Sequence, residues 1–477
     1  MTADLGQTTL GQMRLQARHA IGPDERIVGG PGRQFESITL PEVDRASRRS
    51  EADAARGDDD DLVIAVVVRP VPIARSVRPG AGLEALGDET RFQGARLGHG
   101  RRMVPGDAVG HAGRIRDRAW PPTSVDSAPM GRAPLYLSAE DVLAAMPPVA
   151  ERLELAERTM VALVADAELP PKIGVHPRPA GSFAHAMPAA LRPLSATGDE
   201  ARGDDAGGDL LGIKWVTGFP DNRAHGLAAI HAVVVLSDPT TGGPRAILDG
   251  GPITALRTAA VSGVAIARFG PRAAAVAGGD DDPPRATIIG AGVQGDSHLE
   301  VLGHVLPGVA VTIVDRHPDR ADALAETARA TTGIATARCI DLERVQDATR
   351  SAHVVITAAS FTTPDRRQVM DASWLDADAL VVPVDYATMC AASVARDAAL
   401  FLVDDRGQFL ANRDAGQFDD YPEPTATLGE AILDGAVRPS TGRVVVTHLG
   451  VGLADVVFAD AIVRRAEAAG LGTRLPV

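Results

Sequence analysis

Thr287-Ile288-Ile289-Gly290-Ala291-Gly292-Val293-Gln294-Gly295 is the stretch that decides the fold. An apolar run passes directly into G-x-G-x-x-G, and Asp315 stands twenty residues past Gly295, at the end of the next apolar run, Val311 to Val314. Alone, the hexapeptide is weak evidence. With a strand before it, a helix after it and an acidic residue closing the second strand, it has the context of a dinucleotide fingerprint. Gly290 permits the tight turn, Gly292 lets the backbone approach a pyrophosphate, and Gly295 lets helix and strand pack closely. The helix start offers free N–H groups and a positive dipole end to phosphate. Asp315 would accept hydrogen bonds from ribose hydroxyls and favours NAD by repelling a 2′-phosphate, although Arg316 and Arg320 leave NADP open. The bland alternative is a plain strand-to-helix turn.

Outward from this segment the pattern alternates. A helix runs to about Leu306 and Ala321 to Ala330 is helical. Ile334 to Ile340, Val354 to Thr357 and Leu380 to Val384 read as strands. Strands alternating with helices predict an α/β fold with a doubly wound parallel sheet. Val444 to Thr447 and a helix from about Ala454 to Ala469 close the chain. Upstream, Gly278 to Pro284 is a Gly, Asp and Pro hinge and the best internal boundary. Before it, Ser138 caps a short helix with Asp141 at the capping-box position, and Val149 to Ala165 and Ile253 to Arg268 are helical. Ser182 to Met187, Leu211 to Val216 and Ile230 to Leu236 are strand-like, with a Gly/Asp-rich loop at Ala196 to Asp209.

The chain has 477 residues, 45% apolar and 23% charged, enough for two or three domains. No apolar run reaches the ~18 residues of a membrane helix, and no apolar signal-like run opens the chain. Cys339 and Cys390 are the only cysteines, which excludes a disulfide framework. These features place the protein in a reducing compartment, the cytoplasm. The net charge of −14 falls wholly on residues 130 to 477, which disfavours a nucleic-acid partner. Residues 1 to 129 balance 18 basic against 18 acidic side chains and sustain no periodic pattern. They read as a low-order extension or as an over-long start, with Met130 the true one.

Of 48 basic residues, only Lys172 and Lys214 are lysines. In so arginine-rich a chain, a retained lysine points to a need for a compact ammonium; two leftover surface lysines are the alternative. Lys214 lies in a strand pattern and Arg257 in an apolar helix. Buried cations need anionic partners, either a substrate carboxylate or an internal ion pair. Asp385, at the C-terminal end of a strand, would point into the ligand crevice as a general acid/base, or merely cap a helix. His176, His185, His225 and His231 match no standard zinc spacing, no metal is implied, and Cys390 has no visible base partner.

Three motifs together carry a resemblance: Gly212-Ile213-Lys214-Trp215-Val216-Thr217-Gly218-Phe219-Pro220-Asp221-Asn222, Ile253-Thr254-Ala255-Leu256-Arg257-Thr258-Ala259-Ala260 and the glycine loop. In order and content, over about residues 133 to 477, the chain resembles the ornithine cyclodeaminase/mu-crystallin family. The resemblance implies a homodimer. It also implies a substrate and dimerisation domain over 130–277, completed by 448–477, and a Rossmann NAD-binding domain over 284–447. Asp385 would be the catalytic acid/base, with Lys214 beside it. Lys172, Lys214, Arg257 and Val451 would face the substrate. Gly290, Gly292, Val293, Gln294, Gly295, Asp315, Thr357 and again Arg257 would contact NAD. The implied reaction is cyclodeamination of L-ornithine or a related diamino acid to proline or its homologue, with release of ammonia. The alternatives are an amino-acid dehydrogenase or imine reductase, such as alanine dehydrogenase, and a non-catalytic binding protein. A threonine common near Gly226 is Ala229 here, and a lysine found four residues past the catalytic aspartate in some cyclodeaminases is Met389. Both departures weaken ornithine specifically.

Overall fold

A computed structural model describes residues 133–193, 208–271 and 283–476, the side chain of Arg223 excepted. Residues 1 to 129, most of the 196–209 loop and most of the 278–284 hinge lie outside the described residues.

The first sheet is built from β1 (Leu135–Leu137), β2 (Ala167–Glu168), β3 (Ile173–Val175), β4 (Phe183–Leu191), β5 (Leu210–Gly218), β6 (Ile230–Ser237), β7 (Pro244–Asp249) and the distant β16 (Thr473–Arg474). Its order is β16-β1-β7-β6-β5-β4-β2, with β3 also on β4. Strand β4 runs past Met187, where the sequence reading stops at Pro188. Pro188 faces Ile213 of β5, and on its other side it falls between the β3 and β2 pairings, where no ladder donor is required. Helices α1 (Ala139–Ala144) and α2 (Val149–Ala165) follow β1, and α3 (Gly250–Phe269) follows β7. Ser138 and Asp141 form the expected capping box, and Asp249 caps α3 through the Gly251 N–H.

The second sheet is parallel throughout. Its strands are β8 (Arg285–Ile289), β9 (Val309–Val314), β10 (Ile334–Cys339), β11 (Val354–Thr357), β12 (Leu380–Pro383), β13 (Leu400–Val403), β14 (Ala426–Thr427) and β15 (Val444–Thr447), in the order β10-β9-β8-β11-β12-β15-β13-β14. Its helices are α4 (Val293–Val305), α5 (Pro318–Ala330), α6 (Val345–Arg350), α7 (Ala392–Arg396), α8 (Arg406–Asp414) and α9 (Leu428–Leu433). This is the doubly wound architecture read from the glycine loop. The strand order reverses between β8 and β11, so a crevice opens at their carboxyl ends, where such sheets bind ligands. The last helix, α10 (Gly452–Ala469), leaves the second sheet and packs on β4, β5 and β6 of the first. It is buried on almost every side, so Asp455 and Asp460 within it are buried acids. No described helix is long and apolar enough to cross a membrane.

Candidate active site

Two of the three nucleotide-loop glycines, Gly290 and Gly295, have a steric reason. Gly290 adopts φ +113, and a Cβ there would lie 2.3 Å from the Ala358 carbonyl oxygen, so the β8 turn lies directly against the end of β11. A Cβ on Gly295 would meet the Gly290 carbonyl at 2.2 Å. Gly292 is the N-cap of α4 and makes no side-chain cap, and its Cβ position has no heavy atom within 4 Å. The first-turn N–H groups therefore face open space fit for a pyrophosphate. Asp315 Oδ2 accepts from the Ala291 N–H at 2.8 Å and Oδ1 from the His317 N–H at 2.8 Å, which fixes its half-buried carboxylate beside the loop. Val293 is exposed and Gln294 half-buried at the same helix start. The residues present fit a dinucleotide.

Across the crevice, Asp385 follows β12 and is buried. The Thr357 hydroxyl donates to its Oδ1 at 2.7 Å and the Ala359 N–H to its Oδ2 at 3.0 Å. Burial pushes the carboxyl up to about 7, against the opposing pull of those two bonds. Thr357, expected as a nucleotide contact, donates its hydroxyl hydrogen to Asp385, and its oxygen is still able to accept. The next residue, Tyr386, sits at φ +59, a strained backbone for a non-glycine residue that costs on the order of 1–3 kcal/mol. Its ring stacks on Phe418 with centroids 5.6 Å apart, and its hydroxyl accepts from Lys172 Nζ at 2.9 Å. Lys172 also donates to the Leu449 carbonyl. It thus joins the first-sheet part of the chain to two loops at the carboxyl ends of the second sheet.

Lys214 on β5 and Arg257 on α3 converge on one carboxylate that the sequence reading did not name. Lys214 Nζ lies 2.7 Å from Asp455, and Arg257 Nε lies 3.1 Å from the same group. All three side chains are buried. The internal ion pair therefore exists, supplied by α10. It does not use up the cations. Of the three Lys214 donors, the second is directed at Thr254 Oγ1, 3.4 Å away. Among the described residues Arg257 hydrogen-bonds only through Nε, and its terminal nitrogens lie against Gly450 (φ +79), where a Cβ would come within 2.4 Å of both. Burial pulls the Lys214 ammonium down to about 7 against the pull of Asp455, with Arg257 and Lys172 acting in the same sense as burial. Two cations facing one carboxylate leave a positive surplus next to Lys172 that suits a small anion.

The 448–451 turn closes this corner. Leu449 offers its carbonyl to Lys172, the Gly450 N–H donates to Asp404 Oδ2 at 2.7 Å, and the Gln408 amide donates to the Gly450 carbonyl at 3.1 Å. Val451 is the buried N-cap of α10. Asp404, Tyr386 and Asp455 were missed in sequence. Asp455 carried the same signal as Arg257, a charge inside an apolar helix.

Residues 142–468 match the ornithine cyclodeaminase/mu-crystallin family model. The chain belongs to that family. It is 32% identical over 344 residues to the nodulation efficiency protein NfeD of Rhizobium meliloti, covering 71% of this chain and 97% of that one. It is 31% identical over 156 residues to the ketimine reductase mu-crystallin of Mus musculus, 33% of this chain and 45% of that one. Among solved structures, the Thermococcus litoralis Δ1-pyrroline-2-carboxylate reductase in complex with NADH and L-proline superposes with a TM-score of 0.59 at 25% identity, covering 72% of this chain and 100% of that chain.

Proposed function

We propose that this family member transfers a hydride between NAD and Cα of a small α-amino or α-imino acid, with Asp385 as the acid/base at the nitrogen. NAD, when bound at the glycine loop, supplies or takes the hydride. The carrying observation is the buried Asp385 carboxyl, held by Thr357 and Ala359 and raised to about 7, at the mouth of the crevice that holds the nucleotide loop. Such a group carries a proton half the time near neutrality, the condition for efficient acid/base work. Lys172, the remaining N–H of Lys214 and the terminal nitrogens of Arg257 hold the substrate carboxylate. That anchor fixes Cα relative to Asp385 and removes the entropic cost of alignment. Asp385 takes a proton from the ammonium when the amino acid is oxidised and returns it to the nitrogen when the imine is reduced.

Ornithine cyclodeamination is the same chemistry run through a full cycle. The substrate's own second amine attacks the imine carbon, ammonia leaves with a proton from Asp385, and the cyclic imine is reduced to proline. Met389 and Ala229 stand where a lysine and a threonine would favour that substrate, so the open reductase or dehydrogenase form is the better supported. The mu-crystallin relative named as a ketimine reductase agrees. Incubation with L-ornithine and substoichiometric NAD⁺ separates the two. Proline in excess of cofactor supports the cycle, whereas stoichiometric NADH with L-alanine or L-proline supports the open form. Nucleotide binding without either product, across a panel of amino acids, defeats both.

The assembly belongs to the same proposal. The outer face of the first sheet sets Ile173, Ala186, Trp215 and Val233 in one cross-strand row. Ile173, Trp215 and Val233 are 59%, 46% and 41% exposed. A flat apolar sheet face of this kind is covered by a second copy of the chain.

A further inference from the structure

A line of buried polar groups runs behind the cleft and takes no part in the chemistry above. His298 on α4, Ser262 on α3 and His448 after β15 are all buried. His298 Nδ1 lies 2.6 Å from the Gln294 carbonyl, His298 Nε2 lies 2.8 Å from Ser262 Oγ, and Ser262 Oγ lies 2.8 Å from His448 Nε2.

The chemistry of the partners orders the protons. A carbonyl only accepts, so His298 Nδ1 carries the hydrogen. Burial holds this ring down to about 4, so it is neutral at pH 7 and its Nε2 is bare. Ser262 must then donate to His298 Nε2. Its oxygen is left to accept, and His448 Nε2 is the donor. His448 Nδ1 is consequently a bare lone pair, and it is buried with no partner among the described residues. Burial, His298, Arg257 and Lys172 all keep the His448 ring far below its ordinary range, so it stays neutral. Leaving that nitrogen unsatisfied has a cost, which the ordered chain must offset.

The three elements joined are the three that build the site. Gln294 stands in the first turn of α4, at the nucleotide loop. Ser262 is five residues past Arg257 on α3. His448 precedes Leu449 and Gly450, which touch Lys172 and Arg257. Asp404 and Gln408 hold Gly450 from the second-sheet side, and the histidine chain holds His448 from the α3 and α4 side. We infer that Ser262 is a positioning residue, whose hydroxyl ties the start of the nucleotide-loop helix to the 448–451 turn through one ordered chain of hydrogen bonds and so sets the substrate anchor. This rests on the substrate cleft proposed above; the order of the chain itself does not.

The test uses the full chain labelled with ¹⁵N-histidine, its ring signals assigned with His298→Gln and His448→Gln. The chain predicts hydrogen on Nδ1 of His298 and on Nε2 of His448, with the His448 N–H signal lost in Ser262→Ala. The opposite tautomer at either ring, or signals unmoved in Ser262→Ala, overturns it. A kinetic arm reads the positioning role with the amino acid that shows hydride transfer. KM for that amino acid rises about tenfold in Ser262→Ala and His448→Leu while kcat stays within about threefold, as expected for loss of a buried hydrogen bond that only orients. His448→Gln, whose amide nitrogen stands in for Nε2–H, keeps KM within about threefold of wild type. A lower melting temperature with unchanged KM in all three variants marks a merely structural chain and overturns the inference. If no amino acid is turned over, the proposed function fails on its own, and the tautomers still decide the order of the chain.

Discussion

Asp455 lies 2.7 Å from the Lys214 ammonium, with both groups essentially without solvent exposure. One comes from the last helix and the other from a strand 241 residues earlier. Because Arg257 shares the same carboxylate, the cleft holds two cations on one anion. Asp455→Ala leaves two buried cations unpaired, and a loss of about 3–5 kcal/mol of folding free energy is expected in urea unfolding. An unchanged midpoint would show that the pair carries no structural weight.

Lys214→Arg tests the need for a compact ammonium. The position is fully enclosed between Asp455 and Thr254, and a planar guanidinium cannot reproduce a point charge there. A fall in kcat/KM of about 100-fold, or 2.7 kcal/mol, is expected. A variant within threefold of wild type would make the retained lysine incidental.

In the proposed mechanism Asp385 governs the proton transfer and so contributes to the pH dependence. Its carboxyl is raised from 3.8 to about 7 by burial. Imine reduction needs the protonated form, so kcat/KM in that direction falls above about pH 7. Amino-acid oxidation needs the carboxylate, so kcat/KM in that direction rises toward the same value, and above it loss of the Lys214 ammonium, also pulled to about 7, lowers it again. Asp385→Asn removes the rising limb in oxidation, leaves the fall set by Lys214, and lowers turnover by about 10²–10⁴-fold, with NAD⁺ affinity nearly unchanged. The same shift weakens the fold as pH rises from about 4 to about 7, because the native state then holds a proton that the unfolded chain has released. A pH-rate profile flat between 6 and 8 in both directions would remove Asp385 from the proton transfer.

Much of this was readable in sequence because local chemistry dictated it. The glycine loop needs φ +113 at Gly290 and leaves no room for a Cβ at Gly290 or Gly295, and only glycine meets those demands cheaply. The alternation of β8, α4 and β9 followed from periodicity alone. The pairing of Asp455 and the His298–Ser262–His448 chain were not legible, because the partners lie roughly 40 to 240 residues apart in sequence and meet only in the folded chain. Strand β13, a run of four apolar residues, was overlooked because so short a run carries no period. Tyr386 gave no sign of its left-handed backbone, which accompanies tertiary contacts of its side chain with Lys172 and Phe418.

Gly450→Ala probes the anchor without touching a charge. The new methyl would sit 2.4 Å from both terminal nitrogens of Arg257, on a backbone at φ +79. KM for the amino-acid substrate rises at least about tenfold, and the variant loses about 1–2 kcal/mol of stability from the strained backbone alone. Wild-type KM in a folded variant would place Arg257 away from the substrate.

Trp215→Glu tests the assembly. A charge in the middle of the exposed row of Ile173, Trp215 and Val233 is incompatible with a buried sheet-to-sheet contact. Light scattering should show a dimer for the wild type and a monomer for the variant. Equal masses for the two proteins would place the interface elsewhere, or nowhere.

The most direct test of the cleft follows a label. Amino acids carrying deuterium at Cα, among them L-alanine, L-proline and L-ornithine, are incubated with the full chain and NAD⁺, and the nucleotide is examined by mass spectrometry. With at least one of these substrates deuterium is expected on the reduced nicotinamide, or, where the cofactor is recycled, deuterium returned to the product, with the rate falling at least about 100-fold in Asp385→Asn. Tight nucleotide binding with no label moved from any of them, or label moved at the wild-type rate by Asp385→Asn, would contradict it.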